Sequence, residues 1–201
     1  EELEHKVSTI DSTAYQAKIV KVCEAIRTQT YDSVFSLFTM DGYDQFERLI
    51  RYGKARVLTL EGCRYVRLGE DIQCRSIPMS FSFSKGKQQL ENVVFTFNNT
   101  GRIDGVQFAL EERSARNIMG NTDIDEVSRL TLINFMENYK TAFALKRLDY
   151  IESIFSDNAV IITGRVLKPS EQNLEMKNAQ FAMKDQVVFN NVVLTRMSKE
   201  Q

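Results

Sequence analysis

The first residue whose position suggests chemistry is an arginine at the end of an apolar strand face. In "CRSIPMSFSF", steps of two back from Phe83 pass Phe81, Met79 and Ile77, and the next step reaches Arg75. An arginine that continues a buried face needs a partner, because an unpaired buried charge costs several kcal/mol. The sequence therefore predicts a specific contact for Arg75.

The predicted strand register supplies that contact. Keeping the apolar residues of neighbouring strands on one face fixes their pairing. This register pairs Met79 with Val93, Ile77 with Phe95, and Arg75 with Phe97. Across the next turn Phe97 faces Asp104, which sets Arg75 and Asp104 in one row, roughly 10 Å apart over two strand spacings. Pro78 also favours a β-bulge, which would reset this alternation.

Two more residues complete a candidate ligand-binding site of Arg75, Asp104, Tyr65 and Glu91. Glu91 lies two rows further along the same predicted face, and Tyr65 is expected nearby. An arginine oriented by a carboxylate is suited to anchor the anionic group of a ligand. The alternative is an ion pair that closes the end of the sheet and needs no ligand. No catalytic set is predicted.

The scarcity of histidine excludes several kinds of chemistry. His5 is the single histidine, in a polar terminus, so Ser-His-Asp, Cys-His and zinc sites elsewhere are not expected, and we expect no cofactor or metal. Three cysteines (Cys23, Cys63 and Cys74) form no CxxC pair and are interpreted as small buried hydrophobes. A Cys63–Cys74 bridge stays open, because spacing does not decide it.

The charge balance indicates neither a nucleic-acid partner nor a membrane span. There are 26 basic and 27 acidic residues, for a net charge of −1. The range 48–75 carries seven basic and three acidic residues, with few aromatics between them, which is typical of a solvated sheet face. No apolar run approaches the length needed to cross a bilayer.

A weak internal repeat sets the order of the elements that must position the site. A shift of 117 residues, from 31 to 148, aligns "YDSVFSLFT" with "LDYIESIFS". In the second copy an apolar stripe at helical spacing predicts a helix, with Thr122 and Asp125 as its capping box. A short second helix starting at Asp149 and the strand "AVIITGRVL" follow. In the first copy Asp41 is predicted to cap the helix "GYDQFERLIRY", which Gly53 ends.

Period-two patterns between residues 54 and 111 predict an antiparallel sheet. "IPMSFSF", "VVFTF" and "VQFAL" alternate apolar and polar residues, and "SKGK" and "NNTGR" provide the turns between them. This is a meander with one face in water and the other covered by helices, hence an α+β fold.

The helix-containing stretch "AFALKRLDYIESIFSDNAVII" and the meander "CRSIPMSFSFSKGKQQLENVVFTFNNTGRIDGVQFAL" resemble the nuclear transport factor 2-like superfamily, which includes SnoaL-like and ketosteroid isomerase-like proteins. The resemblance implies cone-shaped domains in which N-terminal helices pack on a curved antiparallel sheet around a pocket. The whole chain is also similar to a group of uncharacterised exported two-domain bacterial proteins. That likeness implies an envelope or periplasmic location.

The repeat predicts tandem domains of residues 1–116 and 117–201, joined by a short linker within 112–123. The counterpart of Asn92–Leu110 would lie beyond residue 201, so we expect the second copy to be truncated and the chain to be a fragment. Its polar, non-initiating start "EELEHKVSTIDS" is interpreted as the product of leader removal.

Three functional hypotheses follow. The first is a non-enzymatic cell-envelope protein that binds a small ligand or a partner chain. The second is an isomerase-, hydrolase- or cyclase-like enzyme with an Asp/Tyr/Arg pocket, as the resemblance implies. The third is a structural module that forms homodimers. Whether the sheet encloses a polar cavity or is filled by phenylalanines distinguishes a pocket from a solid core.

Overall fold

The computed structural model describes two units of the chain. Described residues are 10–83, 87–119 and 125–147, together with the backbone of three strands within 160–166, 186–189 and 192–198. Internal contacts divide the chain into Glu1–Lys146 and Arg147–Gln201. These compact units are not the predicted copies 1–116 and 117–201, and the division into two homologous domains stays a prediction.

The first unit begins with helix α1, Thr13–Thr28. Its buried residues Ile19, Val22, Cys23 and Ile26 recur at three- and four-residue steps, so they share the face that packs on the sheet. The helix ends where Gln29 adopts a left-handed conformation (φ 58°) and donates its backbone N–H to the Ile26 carbonyl.

Three short helical segments follow α1. A 3₁₀ helix spans Tyr31–Leu37, α2 spans Met40–Phe46, and a π-helical turn continues α2 over Glu47–Arg51. The predicted cap of α2 was wrong by two residues. The Thr39 hydroxyl, and not Asp41, accepts the hydrogen bond from the Gly42 N–H at 3.1 Å. Thr39 is held in place by its own backbone N–H, which donates to the Ile103 carbonyl of the sheet.

A five-stranded antiparallel sheet carries the first unit and confirms the α+β class. Its strands are β1 (Arg56–Val57), β2 (Arg64–Leu68), β3 (Asp71–Ser82), β4 (Gln88–Phe97) and β5 (Ile103–Phe108). The long strand β3 pairs with β1 and β2 on one side and with β4 on the other, and β5 closes the order. The predicted meander is β3–β4–β5.

The predicted register between β3 and β4 was wrong by two residues: Met79 pairs with Glu91 instead of Val93, and Ile77 pairs with Val93 instead of Phe95. An irregularity in the N-terminal half of β3 changes the register again. Cys74 pairs with Phe95 and Ile77 with Val93, so Arg75 and Ser76 together oppose a single residue of β4. This is a β-bulge, and Ser76 at its centre has φ 67°. The extra residue inverts the inward and outward alternation of the side chains that precede it in β3. Cys74 therefore lies on the same core face as Ile77, and Arg75 lies on the opposite face of the sheet.

A second register shift, between β4 and β5, shows that the predicted position of Asp104 was also wrong. Phe97 pairs with Ile103, and Thr96 pairs with Gly105. Asp104 is therefore the extra residue between two pairs and does not lie opposite Phe97. The predicted row of Arg75, Phe97 and Asp104 is not formed, because both of its ends fall at register shifts.

Two helices follow the sheet. The predicted linker is largely helical, since α3 spans Glu112–Met119. Helix α4 spans Glu126–Ala144 and lies within the first unit. Asp125 caps α4 by accepting hydrogen bonds from the Ser128 hydroxyl at 2.6 Å and from the Ser128 N–H at 2.9 Å, and these two bonds hold the pKa of Asp125 below its usual value. The proposed partner Thr122 and the predicted helix at Asp149 lie outside the described residues.

The sheet packs helices on both faces. One face joins α1, the 3₁₀ helix and α2 in a common core, which confirms that helices cover the apolar side. The expectation that the opposite face meets water was wrong for its middle, where Gln73, Val94 and Gln107 are buried. Helix α4 supplies the bonded partners of both glutamines.

The second unit contains a three-stranded antiparallel sheet. Its strands are β6 (Val160–Val166), β7 (Gln186–Phe189) and β8 (Val192–Ser198), in the order β6–β8–β7. β6 coincides with the strand predicted from "AVIITGRVL".

Candidate functional site

The four residues of the predicted site have separate surroundings. Arg75 is buried against α4, where its guanidinium contacts the carboxylate of Glu137. Asp104 is instead bonded to Thr39, whose hydroxyl donates to its carboxylate at 2.6 Å. Arg75 and Asp104, both in the described part of the chain, form no ion pair with each other.

The other two predicted residues bind neighbours of their own. The Tyr65 hydroxyl donates to the side-chain oxygen of Gln16 on α1. Glu91 accepts from the Lys140 ammonium of α4 at 2.7 Å, and that ammonium also donates to the Ala109 carbonyl. Each of the four residues therefore has a structural partner within the fold.

A buried polar network joins α4 to the sheet around Arg75. Arg75 donates to Gln73 at 2.6 Å as well as to Glu137. The Glu137 carboxylate also accepts from Gln107 at 2.9 Å and from the Leu110 N–H at 3.1 Å. Among the described residues, no buried side-chain nitrogen or oxygen lacks a partner. Such a saturated network has no free group to offer a ligand.

Glu137 is the member of this network that sequence reasoning missed. It shares a helical face with Asn134 and Thr141, at steps of three and four, and all three hydrogen-bond to the sheet. The apolar stripe of α4 masked this second, polar stripe. The sequence did contain a signal for this contact. Glu137 lies in the middle of a polar stripe on α4, which made it a candidate partner for the buried arginine of the sheet.

The interior between the helices and the sheet is filled by aromatic rings. Four phenylalanines of the sheet are fully buried core residues: Phe81, Phe95, Phe97 and Phe108. Phe83 is partly buried and stacks on Phe81, with ring centroids 5.8 Å apart. The sequence left open a polar cavity or a core filled by phenylalanines, and the described core is of the second kind.

A groove on the outside of the first unit is the strongest candidate for a site. It runs between the second half of α1 and the segment from the π-helical turn to residue 60, and its volume is about 1040 Å³. The floor is apolar and consists of Val20, Cys23, Ile26, Ala55, Val57 and Leu60. Val20 is 47% exposed, so apolar surface at the floor is open to a ligand.

The rim of the groove is predominantly cationic. Four basic side chains line it, against one acidic side chain, Glu24; the basic residues are Arg27, Arg51, Lys54 and Arg56. Arg27 pairs with Glu24 at 2.6 Å, and Arg51 pairs with Glu47 at 2.8 Å.

The remaining two cations of the rim are uncompensated. No described carboxylate forms an ion pair with Lys54 or Arg56. Lys54 sits in a left-handed backbone conformation (φ 49°) just after Gly53. A β-carbon at Gly53 would come within 2.8 Å of the Phe81 ring, so this turn is pressed against the core. The core thereby fixes the backbone that presents Lys54 and Arg56.

The tyrosines near these features are poorly suited to acid–base catalysis. Partial burial and the neighbouring Asp32 carboxylate raise the pKa of Tyr43 to about 12. Burial, followed by contact with Cys74, raises the pKa of Tyr65 further. A general acid or base works best with a pKa near the operating pH, and these shifts move both phenols away from it.

Comparisons with known proteins identify no relative. No family model, curated protein or solved structure matches the chain. In the described ranges, no group of three or more histidine, cysteine or carboxylate side chains is arranged to hold a metal ion. The helices described for this chain are all too short or too polar to cross a membrane.

Proposed function

We propose that the protein is a non-enzymatic cell-envelope binding protein whose first unit holds a small amphipathic anion in the groove beside α1. The observation that carries this proposal is a rim with two uncompensated cations, Lys54 and Arg56, above an apolar floor. Cations attract and orient the anionic head of a ligand, and exposed apolar surface gains free energy when a hydrocarbon part covers it.

The resemblance to cone-shaped domains implies a pocket inside the cone, and the proposal moves the site outside it. The described interior is packed with phenylalanines, and Arg75 is saturated by Glu137 and Gln73. The groove is neither filled nor saturated in this way. Val20 exposes apolar surface at its floor, and Lys54 and Arg56 at its rim form no ion pair with a described carboxylate. The ligand class follows from that lining: a carboxylate or phosphate head joined to a short apolar chain.

Isothermal titration calorimetry with decanoate tests the proposal, with decanol as the uncharged ligand of similar length. We expect decanoate to bind more tightly, and the affinity to fall as salt is added, because exposed charges are screened. The double variant Lys54→Gln, Arg56→Gln should weaken decanoate binding by roughly two- to thirtyfold, since both side chains are exposed and exposed ion pairs are worth about 0.2–1 kcal/mol each.

Arg116→Gln is the matched control. Arg116 is an exposed arginine of α3 that pairs with Glu112, away from the lining of the groove. It removes a charge of the same sign and should leave decanoate binding unchanged. Equal binding of decanol and decanoate, or equal losses in the control and the rim variant, would contradict the proposal.

The envelope location is a separate part of the proposal and rests on the resemblance of the chain to exported two-domain bacterial proteins. Fractionation of cells that express the full-length gene tests it, and recovery confined to the cytosol would refute export. The dimerisation alternative has less support, because α4 occupies the middle of the sheet face that would pair with a second copy.

A further inference from the structure

The fold gathers the three cysteines, which are distant in sequence, into one cluster. Cys23 comes from α1, Cys63 from the turn before β2, and Cys74 from β3. The Cys63 thiol donates to the Gln16 side-chain oxygen at 3.6 Å, and the Tyr65 hydroxyl, on the residue opposite Cys74, donates to the same oxygen. All three are free thiols. Cys23 also lines the floor of the groove, whereas Cys63 and Cys74 are not among its lining residues.

Strand pairing places Cys63 and Cys74 on the same side of neighbouring strands. Tyr65 lies opposite Cys74, so Cys63, two residues earlier, is its diagonal neighbour. A disulfide needs β-carbons about 3.5–4.5 Å apart, which is closer than most diagonal pairs. The turn that carries Cys63 can supply this approach, because Gly62 has φ 80° and open space around it.

We propose that Cys63 and Cys74 form a reversible disulfide by exchange with a small disulfide oxidant, such as glutathione disulfide. Cys63 is the entry point, because it is partly exposed whereas Cys74 is fully buried. Cys74 is the resolving residue rather than Cys23, because Cys74 lies on the strand that pairs with β2, directly opposite Tyr65, whereas Cys23 lies on α1.

The exchange takes two steps. The Cys63 thiolate attacks one sulfur of the oxidant, the oxidant's S–S bond breaks, and the released thiolate takes up a proton. The Cys74 thiolate, after losing its proton to solvent, then attacks the Cys63 sulfur of the mixed disulfide and displaces the second oxidant thiol. The protein loses two protons and two electrons, and the oxidant disulfide is reduced to two thiols.

Burial makes the second step the slower one. Burial raises the pKa of the Cys74 thiol to about 12, although contact with the Tyr65 hydroxyl lowers it in part. Burial likewise raises the pKa of Cys23 to about 12. Thiolate is the attacking species, so a buried thiol of high pKa reacts slowly. A mixed disulfide at Cys63 should therefore accumulate before the internal bridge forms.

The test is to equilibrate the whole folded chain with glutathione disulfide, alkylate the remaining thiols and map the peptides without reduction. We expect a transient glutathione adduct on Cys63, and then a linked pair of Cys63 and Cys74 peptides with alkylated Cys23. Dithiothreitol should restore three free thiols. Cys23→Ala is the control and should leave the bridge unchanged, whereas Cys63→Ala should abolish both the adduct and the bridge.

Peptide mapping of the chain without substitutions tests the proposal even if a cysteine variant fails to fold. A dominant Cys23–Cys63 link would overturn it, because the resolving residue would then be on α1. Three alkylated thiols after full equilibration, or an adduct on Cys63 that never resolves, would overturn it as well. Cys63 and Cys74 do not line the groove, and decanoate binding is measured on the reduced chain, so failure of the bridge and failure of the binding site are distinguishable.

Discussion

Removing the guanidinium of Arg75 should destabilise the first unit more than any exposed charge does. In the variant Arg75→Met, Glu137 keeps its hydrogen bonds from Gln107 and the Leu110 N–H but loses its counter-charge. Glu137 is 1% exposed and Arg75 is 7% exposed, so water cannot replace the lost partner. Breaking a buried pair on one side costs about 3–5 kcal/mol of unfolding free energy.

The size of this loss can be separated from lost packing with a second substitution. Adding Glu137→Gln to Arg75→Met removes the stranded charge, while its amide oxygen can still accept from Leu110. We therefore expect the double variant to be more stable than Arg75→Met alone. Arg116→Met is the control, because its salt bridge partner Glu112 is exposed, and such pairs contribute little.

The assay is urea unfolding of each variant at neutral pH, followed by circular dichroism. A loss in Arg75→Met no larger than in Arg116→Met would refute the account of a buried, mutually dependent pair. Additive losses in the double variant would refute it too, since additivity means that the two side chains do not interact.

Two further predictions concern stability. Burial, then the nearby Asp104 and Glu70 carboxylates, raise the pKa of Asp71 above its unfolded value, so folding is penalised once pH rises through that folded pKa. Asp71→Asn should therefore raise Tm at neutral pH but not at about pH 3, and an equal shift at both pH values would contradict this cause. Residues 1–147 should unfold cooperatively, whereas 1–116, which lacks α4, should be less stable by calorimetry; equal Tm values would show that α4 contributes nothing.

The sequence predicted the parts of the fold that depend on short-range pattern. Alternation in β3, β4 and β5 predicted the meander and most of its buried phenylalanines, because a two-residue period is visible locally. The register of β4 and β5, in which Val93 pairs with Phe108 and Phe95 with Val106, follows the same alternation. Beta-branched residues likewise predicted strand β6.

The prediction of the candidate site was wrong because the sequence of a single strand does not show where a β-bulge falls. A bulge adds one residue to one strand, and only the partner strand shows where it falls. Pro78 signalled a bulge near the right place, yet counting straight through it set Arg75 on the core face. The groove was also out of reach, because it combines residues of α1 with residues more than twenty positions later, which only the folded chain brings together.

The most direct test of the groove as the binding site is a titration of the isotope-labelled chain with decanoate, followed by amide chemical shifts. We expect the largest shifts at Val20, Ile26, Lys54, Arg56 and Val57, with little change at the core residues Phe95 and Phe97. Shifts centred on Phe95 and Phe97 would place the ligand inside the sheet's helical cover, and would contradict the account.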